Sequence, residues 1–145
     1  PQEFNLGGNV YEDLDGNSVT GRLTLAPFRS TVLVLKSTAG ALAGAVDVGN
    51  GWKYLSWFGY FSDGGGAWGG WIWHAEHGWL YPFGTVPSDI WLWNFRMQGW
   101  LWTSDSLYPY LWSDLLNAWL WYYRGTGQGA GGWFYNYGTG RTEWR

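Results

Sequence analysis

The sequence contains no cysteine and little charge. Because there is no Cys, disulfide scaffolds, thiolate zinc sites and cysteine nucleophiles are excluded. Only 13% of the residues are charged, and 8 Lys and Arg against 11 Asp and Glu give a net charge of -3. The basic residues form no cluster, so the chain lacks the phosphate-neutralising surface that supplies most nucleic-acid affinity. We therefore exclude nucleic acid as a partner.

Long apolar runs are also missing. No segment approaches the roughly 18 apolar residues that a membrane-spanning helix needs, so we expect no membrane-spanning segment. Aromatic residues and glycine are abundant instead: 22% of the 145 residues are aromatic, including 15 Trp, and 24 are Gly. Every Trp lies in 52–144 and none in 1–50. This change in composition predicts a boundary near residue 50.

The part before that boundary has the pattern of a β-hairpin. Asp15-Gly16-Asn17-Ser18 is a strong turn signal between two segments rich in strand-forming residues, 9–14 and 19–25. A β-branched strand is predicted at 30–35, followed by small residues typical of a linker. The predicted organisation is a β segment at 1–36, a linker at 37–50 and a Trp-rich domain at 51–145.

A resemblance accompanies the first segment. Residues 10–17, 21–28 and 32–35, which read VYEDLDGN, GRLTLAPF and VLVL, are similar to the last strands of the β-sandwich that closes many secreted glycoside hydrolases. The resemblance covers about 30 residues and includes no catalytic acid. It implies that this chain is the tail of a longer secreted protein active on polysaccharides.

The Trp-rich part contains an internal repeat. Trp71, Trp91, Trp112 and Trp133 recur every 20 or 21 residues, and a second series comprises Trp79, Trp100 and Trp119. Polar turns separate the short aromatic strands, at 74–77, 94–98 and 113–117. The period predicts an all-β array of aromatic-rich hairpins of about 20 residues. We expect the array to be solenoid-like or to close into a small barrel or propeller.

Within the predicted strands, aromatic and aliphatic residues alternate, so each type occupies its own face. The aliphatic face contains Ile72, Leu80, Leu92, Leu101 and Leu120. The aromatic face contains Trp71, Trp73, Trp79, Tyr81, Trp91, Trp93, Trp100, Trp102, Trp119 and Trp121. Most of these Trp are expected to be structural. Because a domain of this size can hardly bury all 15, we also expect an exposed aromatic surface.

The repeats carry a second resemblance. Segments such as GWLYP, GWLWT and WLWYY, at 78–82, 99–103 and 119–123, resemble the Trp-rich tails of many secreted bacterial proteins, notably from Verrucomicrobia-like organisms. A looser similarity is to choline-binding cell-wall repeats, but the Trp-x-Trp doublets and Pro-containing connectors depart from that pattern. These resemblances imply an extracellular or cell-surface location and no established activity.

Catalytic and cofactor patterns are weak. His74, Glu76 and His77 lack an identifiable third metal donor, and we interpret them as turn residues. Asp13, Asp15 and Asn17 depart from calcium-loop spacing and are also interpreted as a turn. Residues 125–130 fit Gly-x-Gly-x-x-Ala without the helix that a dinucleotide site needs and are interpreted as a flexible connector. Nothing pairs the carboxyls of Glu76, Asp89, Asp105 and Asp114 as glycoside hydrolysis requires. We expect no enzyme activity, no metal and no cofactor.

Two functions fit this pattern. The first is a non-catalytic module that binds a polysaccharide or cell-envelope glycan through aromatic platforms. Its predicted ligand-binding residues are Trp91, Trp93, Trp100, Trp102, Trp119, Trp121, Asn94, Asp105 and Arg124. The alternative is self-assembly with copies of itself into an extracellular filament or surface layer, through strand donation and aromatic interfaces. A tail that only sorts or anchors a secreted enzyme is a third reading, which the sequence does not separate from envelope binding.

Overall fold

The computed structural model describes residues 1–37 and 40–145, and it confirms an all-β chain with antiparallel sheets. Within these residues there is no α-helix, and the single helical element is a 3-10 turn at Gly64–Gly66. No helix in this described part is long and apolar enough to span a membrane. The strands form two sheets of three and eleven strands.

The smaller sheet contains the predicted N-terminal hairpin. Strands β1 (Gln2–Asp13), β2 (Ser18–Leu25) and β3 (Leu33–Ser37) are arranged in the order β2-β1-β3. The Asp13 Oδ1 atom accepts hydrogen bonds from the backbone N–H of Asp15 at 3.0 Å and of Asn17 at 2.8 Å. These bonds close the turn between β1 and β2, as expected of Asp followed by Gly and Asn.

The larger sheet is an antiparallel meander in which each strand pairs with the next along the chain. Its strands are β4 (Val46–Gly49), β5 (Trp52–Leu55), β6 (Gly59–Ser62), β7 (Ile72–His74), β8 (Gly78–Val86), β9 (Asp89–Asn94), β10 (Gly99–Thr103), β11 (Tyr110–Ser113), β12 (Ala118–Tyr122), β13 (Trp133–Asn136) and β14 (Arg141–Trp144). Across the described strands the sheet stays open, with β4 and β14 as its two edges. The predicted closure into a small barrel is wrong, because no ladder joins those edges. The described strands of this sheet are also continuous, unlike the separate sheets that form the blades of a propeller.

The segment predicted as a linker, 37–50, takes part in the larger sheet. Residues 38 and 39 lie outside the described residues. Beyond them, Ala41 belongs to the hydrophobic core and is 5% exposed, and Val46–Gly49 forms β4, which pairs with β5. The sheet therefore begins before the predicted boundary at 51. Small side chains indicated a linker, but the same small size lets Ala41 fit a crowded core.

The core of the larger sheet lies on its aliphatic face. The five predicted aliphatic residues are all buried, between 0% and 4% exposed. Leu111 and Phe134 extend the same core. The sheet curls over this face, since the turn after β7 contacts elements far along the chain: the His77 ring is 4.3 Å from that of Tyr122 and 6.1 Å from that of Phe134. The aliphatic face is thus enclosed and the aromatic face is outside.

A buried polar residue ends each of the strands β7, β9, β11 and β13, which precede turns at one end of the sheet. The Asn94 Oδ1 atom accepts from Met97 N at 2.9 Å, and the Ser113 Oγ atom accepts from Leu116 N at 3.2 Å. The turns after β7 and β13 use the same arrangement, with His74 Nδ1 accepting from Glu76 N and His77 N, and Asn136 Oδ1 accepting from Gly138 N and Thr139 N. Each acceptor satisfies turn N–H groups that the ladder leaves unpaired.

Candidate functional site

The outer face of the larger sheet is built from Trp pairs that lie directly opposite each other. Trp93 faces Trp100 across β9 and β10, with ring centroids 5.4 Å apart and planes at 71°. The same T-shaped contact, at 5.4–5.7 Å, joins Trp73 to Trp79, Trp112 to Trp119 and Trp133 to Trp144. This edge-to-face geometry is the one aromatic quadrupoles favour. The pairs hold the rings in fixed orientations on the surface.

Register also aligns aromatic residues in a row that crosses the strands. Consecutive pairings place Phe83 opposite Trp91, Trp91 opposite Trp102, Trp102 opposite Trp112, and Trp112 opposite Trp119. Neighbouring strands are about 4.8 Å apart, so this row spans roughly 19 Å over four strand intervals. An extended ligand lying across the strands would meet one ring per strand.

A groove opens on this face beside the row. It has a volume of about 330 Å³ and is lined by Phe83, Trp91, Trp100 and Asp114. The Phe83 ring is 64% exposed and lies 6.5 Å from the Trp100 ring at 67°. The Asp114 backbone is fixed because its N–H donates to Trp100 O at 3.1 Å. The groove thus combines three aromatic rings with one carboxylate.

The structure brings the predicted Trp residues together on one face. Trp91, Trp93, Trp100, Trp102, Trp119 and Trp121 are all half-buried and alternate with buried aliphatic residues. Asn94, predicted beside them, is placed on the opposite face, where it is 3% exposed and closes its own turn. Strand alternation is the reason, because Asn94 follows Trp93 directly. Its side chain cannot reach a ligand on the aromatic face.

The other two predicted polar residues lie away from the groove. Asp105 is exposed in the loop after β10, and its N–H donates to Pro87 O at 2.9 Å. The Arg124 guanidinium stands over the Tyr108 ring, 5.5 Å from the ring centroid. Neither residue lines the groove.

Two carboxylates, Asp89 and Asp114, occur on the aromatic face, and they differ in their hydrogen bonding within the protein. Asp89 Oδ1 accepts a hydrogen bond from the Trp102 indole Nε1 at 2.7 Å. Asp114, in the turn after β11, has no side-chain hydrogen bond or salt bridge to any residue that the structure describes. Strands β8 to β12 contain no Lys or Arg. The groove therefore offers a ligand one free negative charge.

His74 and His77 belong to a buried polar cluster rather than to the surface. The His74 Nδ1 atom accepts two backbone N–H groups, so its Nε2–H donates to Phe58 O at 3.0 Å. His77 Nε2 bonds the Tyr108 hydroxyl at 2.9 Å. Burial lowers the pKa of His74 to about 4 and holds the pKa of His77 well below its ordinary value. Both rings are neutral at neutral pH.

Glu76 ties the same turn to the glycine-rich segment after β12. Its carboxylate accepts from the Tyr122 hydroxyl and, at 2.7 Å, from Gly125 N, while its carbonyl accepts from Gly129 N at 3.0 Å. Burial and this carboxylate raise the pKa of Tyr122. Residues 125–130, predicted as a flexible connector, instead pack closely against the turn after β7. In the described part of the chain, no three His, Cys, Asp or Glu side chains are grouped to hold a metal ion.

Comparisons with protein-family models, curated proteins and solved structures find no match to this chain. The family resemblances of the sequence therefore stay predictions, and the geometry of the aromatic face is the basis for function. Sequence reasoning missed two groove residues, Phe83 and Asp114. A turn at Pro87 and Ser88 predicts a hairpin, but a regular hairpin would place Gly84 opposite Trp91, and only the register shift between Phe83 and Val86 brings Phe83 there. The position of Asp114 in the groove could not be predicted, because it depends on how neighbouring hairpins align.

Proposed function

We propose that this chain is a non-catalytic, extracellular or cell-surface module that binds a glycan on its outer aromatic face. The observation that carries the proposal is the groove lined by Phe83, Trp91, Trp100 and Asp114. Aromatic rings stack on the C–H faces of pyranose rings, and a carboxylate accepts hydrogen bonds from sugar hydroxyls. The proposed ligand is polysaccharide or cell-envelope glycan, and no catalytic step is assigned to the chain.

The form of the surface supports a polymeric ligand. We propose that the hairpins act as a repeating, solenoid-like array whose aromatic row presents ring after ring to successive sugars. Each ring–sugar contact is weak, but contacts along one polymer add through effective concentration. The T-shaped Trp pairs restrict ring rotation before the ligand arrives. Such preorganisation lowers the entropy cost of binding.

Two exposed phenylalanines provide a matched test. Phe83→Ala removes a groove ring that is 64% exposed, whereas Phe95→Ala removes a ring that is 57% exposed and lies outside the groove lining. Trp fluorescence titrations with cellulose- and chitin-type hexasaccharides measure affinity for both variants. We expect Phe83→Ala to weaken binding about five- to tenfold, corresponding to roughly 1 kcal/mol of lost aromatic contact. Phe95→Ala should bind like the wild type. Equal affinity for the two variants, or no binding by the wild type, would contradict the proposal.

Self-assembly is the second candidate, and the edge strand β4 favours it. All four residues of β4 are exposed, with Val46 at 60% and Val48 at 50%. An exposed edge with apolar side chains is a template for pairing with a second copy. Val48→Lys would block such pairing by placing a charge on the edge. If light scattering finds large species that persist on dilution and that Val48→Lys disperses, self-assembly replaces glycan binding as the first candidate.

A further inference from the structure

We propose that the groove selects glycans that carry free amino groups, such as glucosamine polymers. This inference rests on the proposed glycan-binding function and specifies its ligand class. It starts from the Asp114 carboxylate, which lines the groove and has no ionic or hydrogen-bonded partner among the described residues. Most sugars offer only hydroxyl groups to a carboxylate. An ammonium offers a charge-assisted hydrogen bond in addition.

The other lining residues favour the same ligand. Trp91, Trp100 and Phe83 present π-electron density, and a cation held near aromatic faces gains about 0.5–2 kcal/mol depending on its desolvation. An aminated pyranose satisfies both parts of the groove, since its C–H face stacks on a ring while its ammonium pairs with Asp114. A neutral sugar satisfies only the first part.

The surrounding charges exclude the opposite class of glycan. Strands β8, β9 and β10, which supply the three lining rings, contain no Lys or Arg, and neither do β11 and β12. The two basic residues nearest in sequence are held elsewhere: Arg96 lies against Gly131, and Arg124 stands over Tyr108. Asp89 adds a second carboxylate to the same face. Uronic acid, sulfated or phosphorylated polymers would meet repulsion with no compensating cation.

The difference between Asp114 and Asp89 identifies the residue that sets the preference. Asp89 already accepts the Trp102 indole N–H at 2.7 Å, so its charge is partly satisfied. Asp114 has a fixed backbone and a free carboxylate. Replacing it by Asn keeps the shape of the side chain, removes the charge and exchanges one acceptor oxygen for an NH2 donor. Asp105→Asn changes the net charge of the protein equally, at an exposed position outside the groove.

The test is isothermal titration calorimetry with three hexasaccharides of the same linkage, made of glucosamine, N-acetylglucosamine and glucose. All three titrations are done at about pH 6. We expect the glucosamine hexamer to bind wild type at least about fivefold tighter than the other two, the effect of roughly 1 kcal/mol. Asp114→Asn should reduce this preference to less than about twofold, and Asp105→Asn should retain it.

The possible failures are distinguishable. If none of the three hexamers binds, the proposed glycan-binding function fails with the inference. If the neutral hexamers bind as tightly as the glucosamine hexamer, or if Asp114→Asn keeps the preference, only the amine inference is overturned. Hexalysine serves as a polycation without sugar rings. If it competes as strongly as the glucosamine hexamer, the attraction is merely electrostatic and the inference is again overturned.

Discussion

Acid should destabilise this fold before its carboxylates begin to protonate, because of the buried histidines His74 and His77. In the unfolded chain a histidine binds a proton near its ordinary pKa of 6.5, whereas burial lowers the folded pKa of His74 to about 4. A histidine whose pKa is lower in the folded state contributes its full stabilisation at pH values above its pKa in the unfolded chain. That contribution is lost as the pH falls from 6.5 toward the folded value.

The magnitude follows from the linkage relation. A shift from 6.5 to about 4 for His74 corresponds to about 3 kcal/mol in total, of which about 2 kcal/mol is lost between pH 7 and pH 5. His77 acts in the same direction, since burial also lowers its pKa. The groups that face the pair are Glu76, Arg124 and the hydroxyls of Tyr108 and Tyr122. A loss of this size is a large part of the 5–15 kcal/mol typical of a whole domain.

Carboxylates with lowered pKa values lose their contribution to stability at lower pH than the buried histidines do. Desolvation raises the pKa of Asp63, but the hydrogen bond and charge of Lys53 outweigh it and hold that pKa below 3.8. For Glu143, desolvation is likewise outweighed by contacts with Arg145, Thr139 and Asn136, which hold its pKa below 4.5. Carboxyls of this kind lose their contribution to stability mainly as the pH falls below those ordinary pKa values. We therefore do not expect Asp63 or Glu143 to cause a loss of stability between pH 6.5 and pH 5, the interval in which the histidines do.

Urea unfolding followed by Trp fluorescence, at a series of pH values, measures the effect. His74→Asn is the matched variant, since Asn94 and Asn136 occupy the corresponding positions and close their turns with a side-chain oxygen. We expect His74→Asn to remove about 2 kcal/mol of the loss between pH 7 and pH 5. A wild-type stability that stays flat over this interval, or a variant with the wild-type slope, would refute the reasoning.

Two further predictions concern packing and turn closure. Gly127→Ala should destabilise the fold by about 1–3 kcal/mol, because its Cβ would lie 2.4 Å from the Glu76 carbonyl oxygen, whereas Gly125→Ala meets no atom within 4 Å. The Gly125 variant should cost only about 1 kcal/mol, for its positive φ of 78°; similar losses for both in thermal unfolding would contradict the clash. Asn94→Ala should lose about 1–3 kcal/mol in urea unfolding by leaving the Met97 N–H without its acceptor. Asn94→Ser should recover part of this, as Ser113 closes the next turn, and equal losses would argue against turn closure.

Much of the fold could be predicted from periodic sequence patterns, because the alternation of side chains along a strand depends only on neighbouring residues. The aliphatic residues from Ile72 to Leu120 were placed correctly on the buried face by the period of two alone. The hairpin turn near Asp15 was equally local. By contrast, β4 was missed, since small residues at 37–50 are typical of linkers and their pairing with β5 is a tertiary property.

The candidate site divides in the same way. The Trp doublets were predicted to share a face, and they do, but the groove depends on which strands are neighbours and in what register. Asn94 was assigned to the site because it follows Trp93 in sequence, although that adjacency places it on the other face. Asp114 joins the groove only through its backbone bond to Trp100 on the neighbouring strand.

The indole N–H signals of the 15 Trp residues provide the most direct test of the central claim. Each gives one cross-peak in a nitrogen–proton correlation spectrum, and single Trp→Phe variants assign them. On addition of the glucosamine hexasaccharide, we predict that the largest shifts occur at Trp91 and Trp100, and that Trp133 and Trp144 at the sheet edge stay unchanged. Unchanged groove signals at saturating oligosaccharide, or larger shifts at the edge pair than in the groove, would contradict a glycan site on this face.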